Sequence, residues 1–176
     1  DDRKEWNYMT EWKIKSGEII PYTESADKLP AISKYYDYDE GAPGKSAQSN
    51  GITCIYRYAE VLLMYAEAST RATNSVNQDA LNAIQEVQKR AGYQNRQIEL
   101  TTTTEPAAFL TAVSNERGWE FFAEMKRWFE LVRLEKVKEV RAEEWDASTF
   151  NTNHHYYFPV PYQQVDLAGW TNNAGY

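Results

Sequence analysis

Cysteine and long hydrophobic runs are scarce in this sequence. Its 176 residues include one cysteine, so an intramolecular disulfide and a cysteine-based metal cluster are both excluded. That residue, Cys54, stands in the apolar stretch ITCIY, where we expect a buried, unreactive thiol. The apolar run VLLMYA is far too short to cross a bilayer. The opening residues DDRKEW are polar and are not a signal peptide, and because the sequence begins in mid-pattern we expect it to be part of a longer protein.

Basic clusters and the common catalytic motifs are missing as well. The formal net charge is −7, and binding to nucleic-acid phosphates needs clustered lysines and arginines, so nucleic acid is excluded as a partner. The sequence has no glycine-rich phosphate loop, no GxSxG motif and no paired cysteine and histidine. The two histidines, His154 and His155, would face opposite sides of an extended segment, which argues against a shared metal ion. We expect no cofactor and no metal.

Aromatic residues are abundant instead, at 14% of the sequence, and their setting changes along the chain. In residues 1–51, prolines and glycines punctuate short aromatic runs, which predicts a loop-rich region with one or two short strands. Residues 52–140 have the spacing of helices. Residues 141–176 are predicted to be extended, because Pro159 and Pro161 oppose a helix.

Two helices are predicted at the start of the helical region. The stretch IYRYAEVLLMYAEAST, beginning at Ile55, is apolar nearly all round, which is typical of a buried helix. The stretch VNQDALNAIQEVQKRAG has Asn77 as its N-cap and Gly92 just beyond its end. The short link between them predicts an antiparallel hairpin. The apolar face of the second helix consists of Ala80, Leu81, Ile84, Val87 and Ala91.

A third helix is predicted from an N-cap at Thr104 to about Val140, with a kink or break near Gly118 or after Leu134. Its central part reads ERGWEFFAEMKRWFELVR, with charge on one side of the helical wheel and large apolar groups on the other. The apolar face consists of Phe121, Phe122, Met125, Trp128, Phe129 and Val132.

The charged side of this helix has two interpretations. Two carboxylates could be a glycosidase pair, but neighbours on one helix point the same way, whereas a sugar must lie between opposed groups. We therefore favour a structural ion-pair seam between helices, since a buried charge without a partner costs several kcal/mol. The predicted seam residues are Arg57, Glu60, Glu67, Arg90, Glu116, Arg117, Glu120, Glu124 and Arg127.

The aromatic residues of the first third are the candidates for ligand contact. A ring face beside an amide or carboxylate suits a sugar ring, and Asn7, Asp37 and Asp39 could supply the polar partner. The alternative, that these rings only cover the helices, stays open. The predicted stacking residues are Trp12, Tyr22, Tyr36 and Tyr38.

The order of several motifs resembles the C-terminal portion of the SusD/RagB family. The motifs are DDR, KYYDYD, RYAEVLLMYAEA, RAG, ER, the spaced pattern from Glu120 to Arg133, FPVP and the closing NNAGY. Four positions depart from the family pattern, two of them in the closing motif. Glu130 replaces a typical Asp, Met125 replaces a usual Gly, and NNAGY replaces Gln-Asn-Pro-Gly-Tyr.

The resemblance implies a mainly α fold, the helical C-terminal region of a tetratricopeptide-containing scaffold with long irregular loops, whose N-terminal half is absent. It also implies a non-enzymatic lipoprotein on the extracellular face of the outer membrane, with a lipid anchor outside this chain. Such proteins capture oligosaccharides for polysaccharide utilization, starch included, with a SusC-like TonB-dependent transporter. Binding of peptide or another non-sugar nutrient stays open, as does, less favoured, a glycoside hydrolase using Glu116, Glu120 or Glu124.

The closing segment is expected to pack across the helices, because Phe158, Val160, Leu167, Trp170 and Tyr176 are too apolar to leave in water.

Overall fold

The computed structural model describes residues 1–13, 16–35, 54–140 and 156–176. The chain forms two compact units, Asp1–Met125 and Lys126–Tyr176. The helices of the described ranges are α1 (Arg3–Asn7), α2 (Tyr58–Thr73), α3 (Gln78–Arg90), α4 (Pro106–Glu120), α5 (Arg127–Arg133), α6 (Val137–Val140) and α7 (Tyr162–Ala168). The strands are β1 (Tyr8–Met9), β2 (Glu11–Lys13), β3 (Ile19–Pro21) and β4 (Ala31–Ile32). The predicted mainly α fold is confirmed.

The first 35 residues hold more regular structure than the sequence indicates. β1 pairs with β4 in antiparallel register, with Tyr8 opposite Ile32, and β2 pairs with β3, with Trp12 opposite Ile20. Each strand has two or three residues, which is too short for a recognisable alternation. The short helix α1 was not predicted either.

Helices α2 and α3 form the predicted hairpin. The Asn77 side chain caps α3 by accepting a hydrogen bond from the Ala80 amide at 2.8 Å. Gly92 follows with φ of 79°, and a Cβ there would collide with the Asp2 carboxylate, so this glycine lets the start of the chain approach the end of α3. The buried core between α2, α3 and α4 is built from Leu63, Ala66, Ala80, Leu81, Ala83, Ile84, Val87, Phe109, Val113 and Phe121.

The prediction that α2 is buried nearly all round is wrong. One of its sides is in the core, but Tyr58, Val61 and Tyr65 are exposed. Cys54, expected to be buried, is also exposed, as is the neighbouring Ile55. Apolar composition indicates which residues can be buried, and packing against α3 and α4 covers only one side of this helix.

The predicted third helix is broken in two places. α4 begins one residue later than expected, with the Glu105 side chain accepting from the Ala108 amide at 2.7 Å, and ends at Glu120. Residues 121–125 form a turn in which Ala123 and Met125 have φ near 60°. The left-handed conformation is unfavourable for non-glycine residues and stops the helix.

The break overturns the predicted continuous apolar face beyond Glu120. Phe121 is buried in the core, but Met125 and Phe129 are exposed. A helical wheel assumes an unbroken 100° step, and the turn at 121–125 resets the direction in which each later side chain points.

The second unit begins with α5 and α6, which flank the expected break after Leu134. Leu131 and Val137 form its small core, with Trp128, Val132 and Tyr156 packed against it.

The closing segment is not extended throughout, as was predicted. It contains α7, because Pro161 stands at the N-cap, where proline's missing N–H does no harm. The expectation that its apolar side chains pack across the helices stays a prediction, because α1–α4 belong to the other unit. Within the segment, hydrogen bonds link Phe158 and Val160 to the two asparagines that follow α7.

Hydrogen bonds join the two closing motifs. The Val160 amide of FPVP donates to Asn172 Oδ1 of NNAGY at 2.8 Å, and Asn173 Nδ2 donates to the Phe158 carbonyl at 2.6 Å. Tyr176 Oη donates to the Tyr157 carbonyl at 3.1 Å. The two motifs that resemble the family therefore form one local structure.

Within the described ranges, no helix is both long and apolar enough to cross a membrane. Several predictions fall on residues outside those ranges, namely those made for Tyr36, Asp37, Tyr38, Asp39, His154 and His155.

Candidate functional site

α4 and the turn after it place three glutamates on one side, one helical turn apart. Glu116 and Glu120 lie on α4 and are buried, and Glu124 follows in the turn. Burial of three carboxylates in one row is unfavourable unless each has cationic or hydrogen-bonding partners. The structure supplies such partners from α1, α3 and the residues before α2.

Glu120 is the centre of the network, with its side chain 1% exposed. Arg57 Nη1 donates to Oε1 at 2.8 Å, and Arg90 Nη2 donates to Oε1 and Oε2 at 2.5 and 2.6 Å. Arg3 Nη1 donates to Oε2 at 3.1 Å. Three guanidinium groups from three distant parts of the sequence therefore meet at one carboxylate.

Glu124 is held by two cations. Arg57 Nη2 donates to Oε1 at 2.7 Å and Nε donates to Oε2 at 3.2 Å. Lys34 Nζ donates to Oε1 at 2.5 Å and to the carbonyls of Glu120 and Phe122 at 3.1 and 3.2 Å. Lys34 thus satisfies carbonyl groups at the C-terminal end of α4, where a positive charge also interacts favourably with the helix dipole.

Glu116 has a different set of partners. Arg3 Nη1 donates to Oε1 at 2.7 Å, while Tyr93 Oη and Gln88 Nε2 donate to Oε2 at 3.0 and 3.3 Å. The opposite charge on this carboxylate comes from Arg3, whose Nε and Nη2 also bind Asp1.

These contacts set the pKa values of the site. Burial raises the pKa of Glu120, but hydrogen bonds and charges from Arg57 and Arg90 outweigh it, so the net pKa lies below the usual glutamate value. For Glu124, burial again raises the pKa, and Arg57 and Lys34 more than reverse the effect. The pKa of Tyr93 is raised to about 12, first by burial and then by the adjacent carboxylate of Glu116.

The structure brings most of the predicted seam residues together. Arg57 and Arg90 reach Glu120, and Arg117 Nη2 lies 3.7 Å from Glu60 Oε1.

Two of the predicted seam residues have partners on their own helices. Glu67 accepts a hydrogen bond from Arg71 Nε at 2.8 Å. Arg127, in the second unit, lies 3.6 Å from Glu130.

Two members of the network were missed by sequence reasoning. Arg3 and Lys34 lie in the region predicted to be loop, and they bind glutamates that are 113 and 90 residues away. A charged residue in a loop gives no local sign of such a partner. The motif DDR, part of the family resemblance, was the only signal for Arg3.

A cavity of about 490 Å³ adjoins the network. It is lined by Arg3, Trp6, Asn7, Ser33, Lys34, Arg57, Arg90 and Glu120. Trp12 and Tyr22, two of the predicted stacking residues, are half-buried on or next to the β2–β3 ribbon and do not line it. In the part of the chain that the structure describes, no three His, Cys, Asp or Glu side chains, the glutamate row included, are placed so that they could hold a metal ion.

The sequence model of the SusD family matches residues 3–176. The chain belongs to the SusD family. Among curated relatives, SusD-like protein P2 of Formosa agariphila is 28% identical over 191 aligned residues, which cover all of this chain and 37% of that protein. The chain therefore spans little more than a third of the length of this SusD relative.

Two solved structures of SusD proteins share the fold. A SusD superfamily protein from Parabacteroides distasonis matches 97% of this chain and 37% of its own chain, with a TM-score of 0.73 and 26% identity. A SusD homolog from Bacteroides thetaiotaomicron matches all of this chain and 41% of its own, with a TM-score of 0.74 and 22% identity. At 22% identity, the match to the Bacteroides thetaiotaomicron protein is evidence for a shared fold only.

Proposed function

We propose that this SusD-family chain is part of a non-catalytic nutrient-binding protein that captures glycans at the cell surface. The observation that carries the proposal is the family match, which extends over residues 3–176. The protein delivers oligosaccharide to a SusC-like TonB-dependent transporter. It is held on the extracellular face of the outer membrane as a lipoprotein.

The chemistry of the glutamate row supports a binding role over hydrolysis. A glycosidase needs one carboxyl group that is protonated near neutral pH and two carboxyls placed on opposite sides of the bond. Here the pKa values of Glu120 and Glu124 are lowered, not raised, and cations bind both groups. Glu116 is fully buried behind Arg3 and Tyr93. We infer that the row stabilises the scaffold.

Ligand contact is assigned to the aromatic first third of the chain. Several large side chains of the helices are buried in the core, whereas Trp12 lies on β2 and Tyr22 directly follows β3, and both are only half-buried. Tyr36 and Tyr38 follow in the same aromatic part of the sequence. Aromatic faces supply much of the affinity for sugars in water, where hydroxyl groups already hydrogen-bond well to solvent. We propose these four residues as stacking contacts.

A glycan array with the natural full-length protein tests the proposal. We expect binding to a restricted group of oligosaccharides, and no release of reducing sugar when the bound oligosaccharide is incubated with the protein. Binding to a peptide library with no bound glycan would favour the alternative, a non-sugar nutrient. Turnover that Glu120→Gln abolishes in the folded protein would show that the protein is an enzyme.

The stacking residues have their own test. Alanine substitution of Trp12, Tyr22, Tyr36 or Tyr38, followed by calorimetric titration with the oligosaccharide selected on the array, should weaken binding for at least one variant. The matched control is Trp119→Ala, which removes an exposed tryptophan from α4. If all four variants bind as the parent does, the assignment of these residues is wrong.

A further inference from the structure

One side of α2 is apolar and exposed along the whole helix. Tyr58, Val61 and Tyr65 are 67, 52 and 45% exposed, and Ala68 and Ala72 are exposed as well. These five residues are the outer stripe of α2, and none of them is charged. A helix side that faces water normally carries polar and charged residues, so the outer stripe has the composition of a covered surface.

The outer side of α3 shows what a water-facing side of the same hairpin looks like. Its exposed residues include Asp79, Asn82, Glu86 and Lys89, all of them polar or charged. Both helices bury their inner sides in the same apolar core. Because the two helices share one core and differ in their outer sides, the apolar outer stripe of α2 indicates a further packing partner for that helix alone.

The outer stripe has the spacing of a seam between two helices. Its members follow one another at alternating intervals of three and four residues, the pattern in which one α-helix packs along another at a crossing angle of about 20°. From Tyr58 to Ala72 the stripe is about 21 Å long, since each residue of a helix rises about 1.5 Å. The large side chains lie in its first half, so a partner helix can approach most closely beside Ala68 and Ala72.

The length of a SusD relative indicates where such a partner helix comes from. This chain covers 37% of SusD-like protein P2, so most of that protein lies outside the matched part. A helix of the same polypeptide needs no second molecule to reach the stripe. A second copy of this chain fits less well, because a stable dimer usually buries about 1,200–2,000 Å², more than one helix seam of this length provides.

We propose that the outer stripe of α2 packs against an amphipathic α-helix that belongs to the full-length protein and lies outside residues 1–176. The partner helix carries apolar side chains at the same alternating spacing, with the larger ones opposite Ala68 and Ala72. This contact explains why α2 is apolar nearly all round although α3 and α4 cover only one of its sides. The proposal does not depend on the glycan-binding function.

Site-specific photo-crosslinking of the purified natural full-length protein identifies the partner. The photoreactive residue p-benzoylphenylalanine replaces Tyr65, at the centre of the outer stripe, or, as the matched control, Glu86 on the outer side of α3. We expect an intramolecular crosslink from position 65, which peptide mass spectrometry maps to an apolar helical segment outside residues 1–176. Its yield should be at least fivefold higher than that of any crosslink from position 86.

A charge substitution tests the burial of the stripe in the same full-length protein. Val61→Glu places a carboxylate in the proposed apolar contact and should lower the Tm by about 4 °C or more, because a charge is costly to bury without a partner. The matched control, Asn82→Glu, places the same side chain on the outer side of α3 and should change the Tm by less than about 1 °C. Equal Tm values for the two variants would contradict the proposal.

The crosslinking experiment has three further results that would overturn the proposal. A crosslink from position 65 to a second copy, seen as a dimer band in denaturing electrophoresis, would make the stripe an interface between copies. Crosslinks that map only within residues 1–176 would assign another part of this chain as the partner. A yield no higher than that from position 86 would show that the stripe faces solvent.

Discussion

Helices α2, α3 and α4 are joined in two different ways at two places. Where Leu63, Ile84 and Phe109 meet, all three side chains are fully buried and the contact is apolar. Around Glu120 the same helices are joined by ion pairs, because Arg57 at the start of α2 and Arg90 at the end of α3 both bind this buried carboxylate of α4. Apolar contact is non-directional and scales with area, whereas each ion pair requires specific partner atoms.

The difference shows what the network adds to the apolar core. Among its cations, Arg3 and Lys34 come from the first 35 residues, whose strands have only two or three residues each. Paired strands this short are marginal by themselves. The core holds the helices together, and the network attaches the aromatic first region, which carries Trp6 and Asn7, to them.

The largest effect should follow from Glu120→Gln. This change leaves the guanidinium groups of Arg3, Arg57 and Arg90 without their shared carboxylate, and breaking a buried ion pair costs about 3–5 kcal/mol of unfolding free energy. Urea denaturation measures the loss, and limited proteolysis should show faster cleavage within residues 1–35. A loss below about 1 kcal/mol would mean that the network is dispensable.

Leu63→Ala tests the apolar half of the comparison. Leu63 is fully buried, so we expect a loss of about 2–4 kcal/mol. This change should increase the rate of cleavage within residues 1–35 only as much as the loss of global stability does by itself. Glu120→Gln should increase that rate further. Selective release of the first region by Leu63→Ala would contradict the division of roles.

Acid should distinguish the two regions further. The pKa values of Glu120 and Glu124 are lowered in the folded state, so their contribution to stability is present above the usual glutamate pKa and is lost as pH falls through the folded values. We expect the free energy of unfolding to fall below about pH 4.5. Leu63→Ala should keep this pH slope and Glu120→Gln should flatten it. Equal slopes in both variants would count against the network as the acid-sensitive part.

Met125→Gly sharpens the comparison at the turn that carries Glu124. Met125 has φ of 60° and is 89% exposed, so glycine relieves an unfavourable backbone conformation and loses little buried area. We expect stability to rise by about 0.5–1 kcal/mol, measured by urea denaturation. The gain would also explain why glycine is usual here in the family pattern. A lower stability would show that flexibility in the unfolded chain dominates at this position.

The smallest effect is expected for Arg71→Ala. Arg71 pairs with Glu67 one turn away on α2, and its side chain is half exposed. Such i,i+4 pairs contribute about 0.3–0.5 kcal/mol and weaken with salt. A loss above about 1.5 kcal/mol would place this pair with the buried network, and the contrast between the two kinds of ion pair would fail.

Local signals explain which parts of the fold could be predicted. α3 has a capping residue at Asn77, an apolar face and a stop at Gly92, so all of its information lies within one segment. The break after Glu120 depends on the left-handed conformation of residues such as Ala123 and Met125. These residue types do not favour that conformation, so no local pattern predicts the break.

The site was harder to predict than the fold. The spacing of Glu116, Glu120 and Glu124 predicted a charged row, but not Arg3 and Lys34, because their contacts are made across about half of the chain or more. The cavity depends on the placement of short elements with no periodic pattern.

A double-mutant cycle on Arg57 and Glu120 is the most direct test of the claim that the charged row is a structural network. The variants are Arg57→Met, Glu120→Leu and the pair together, compared with the parent by urea denaturation. Each single change removes one partner of an ion pair at the centre of the network and should cost about 3–5 kcal/mol, whereas the double change removes both partners and should cost less than the sum by about 1–3 kcal/mol. Additive costs, with a coupling below about 0.3 kcal/mol, would contradict the account.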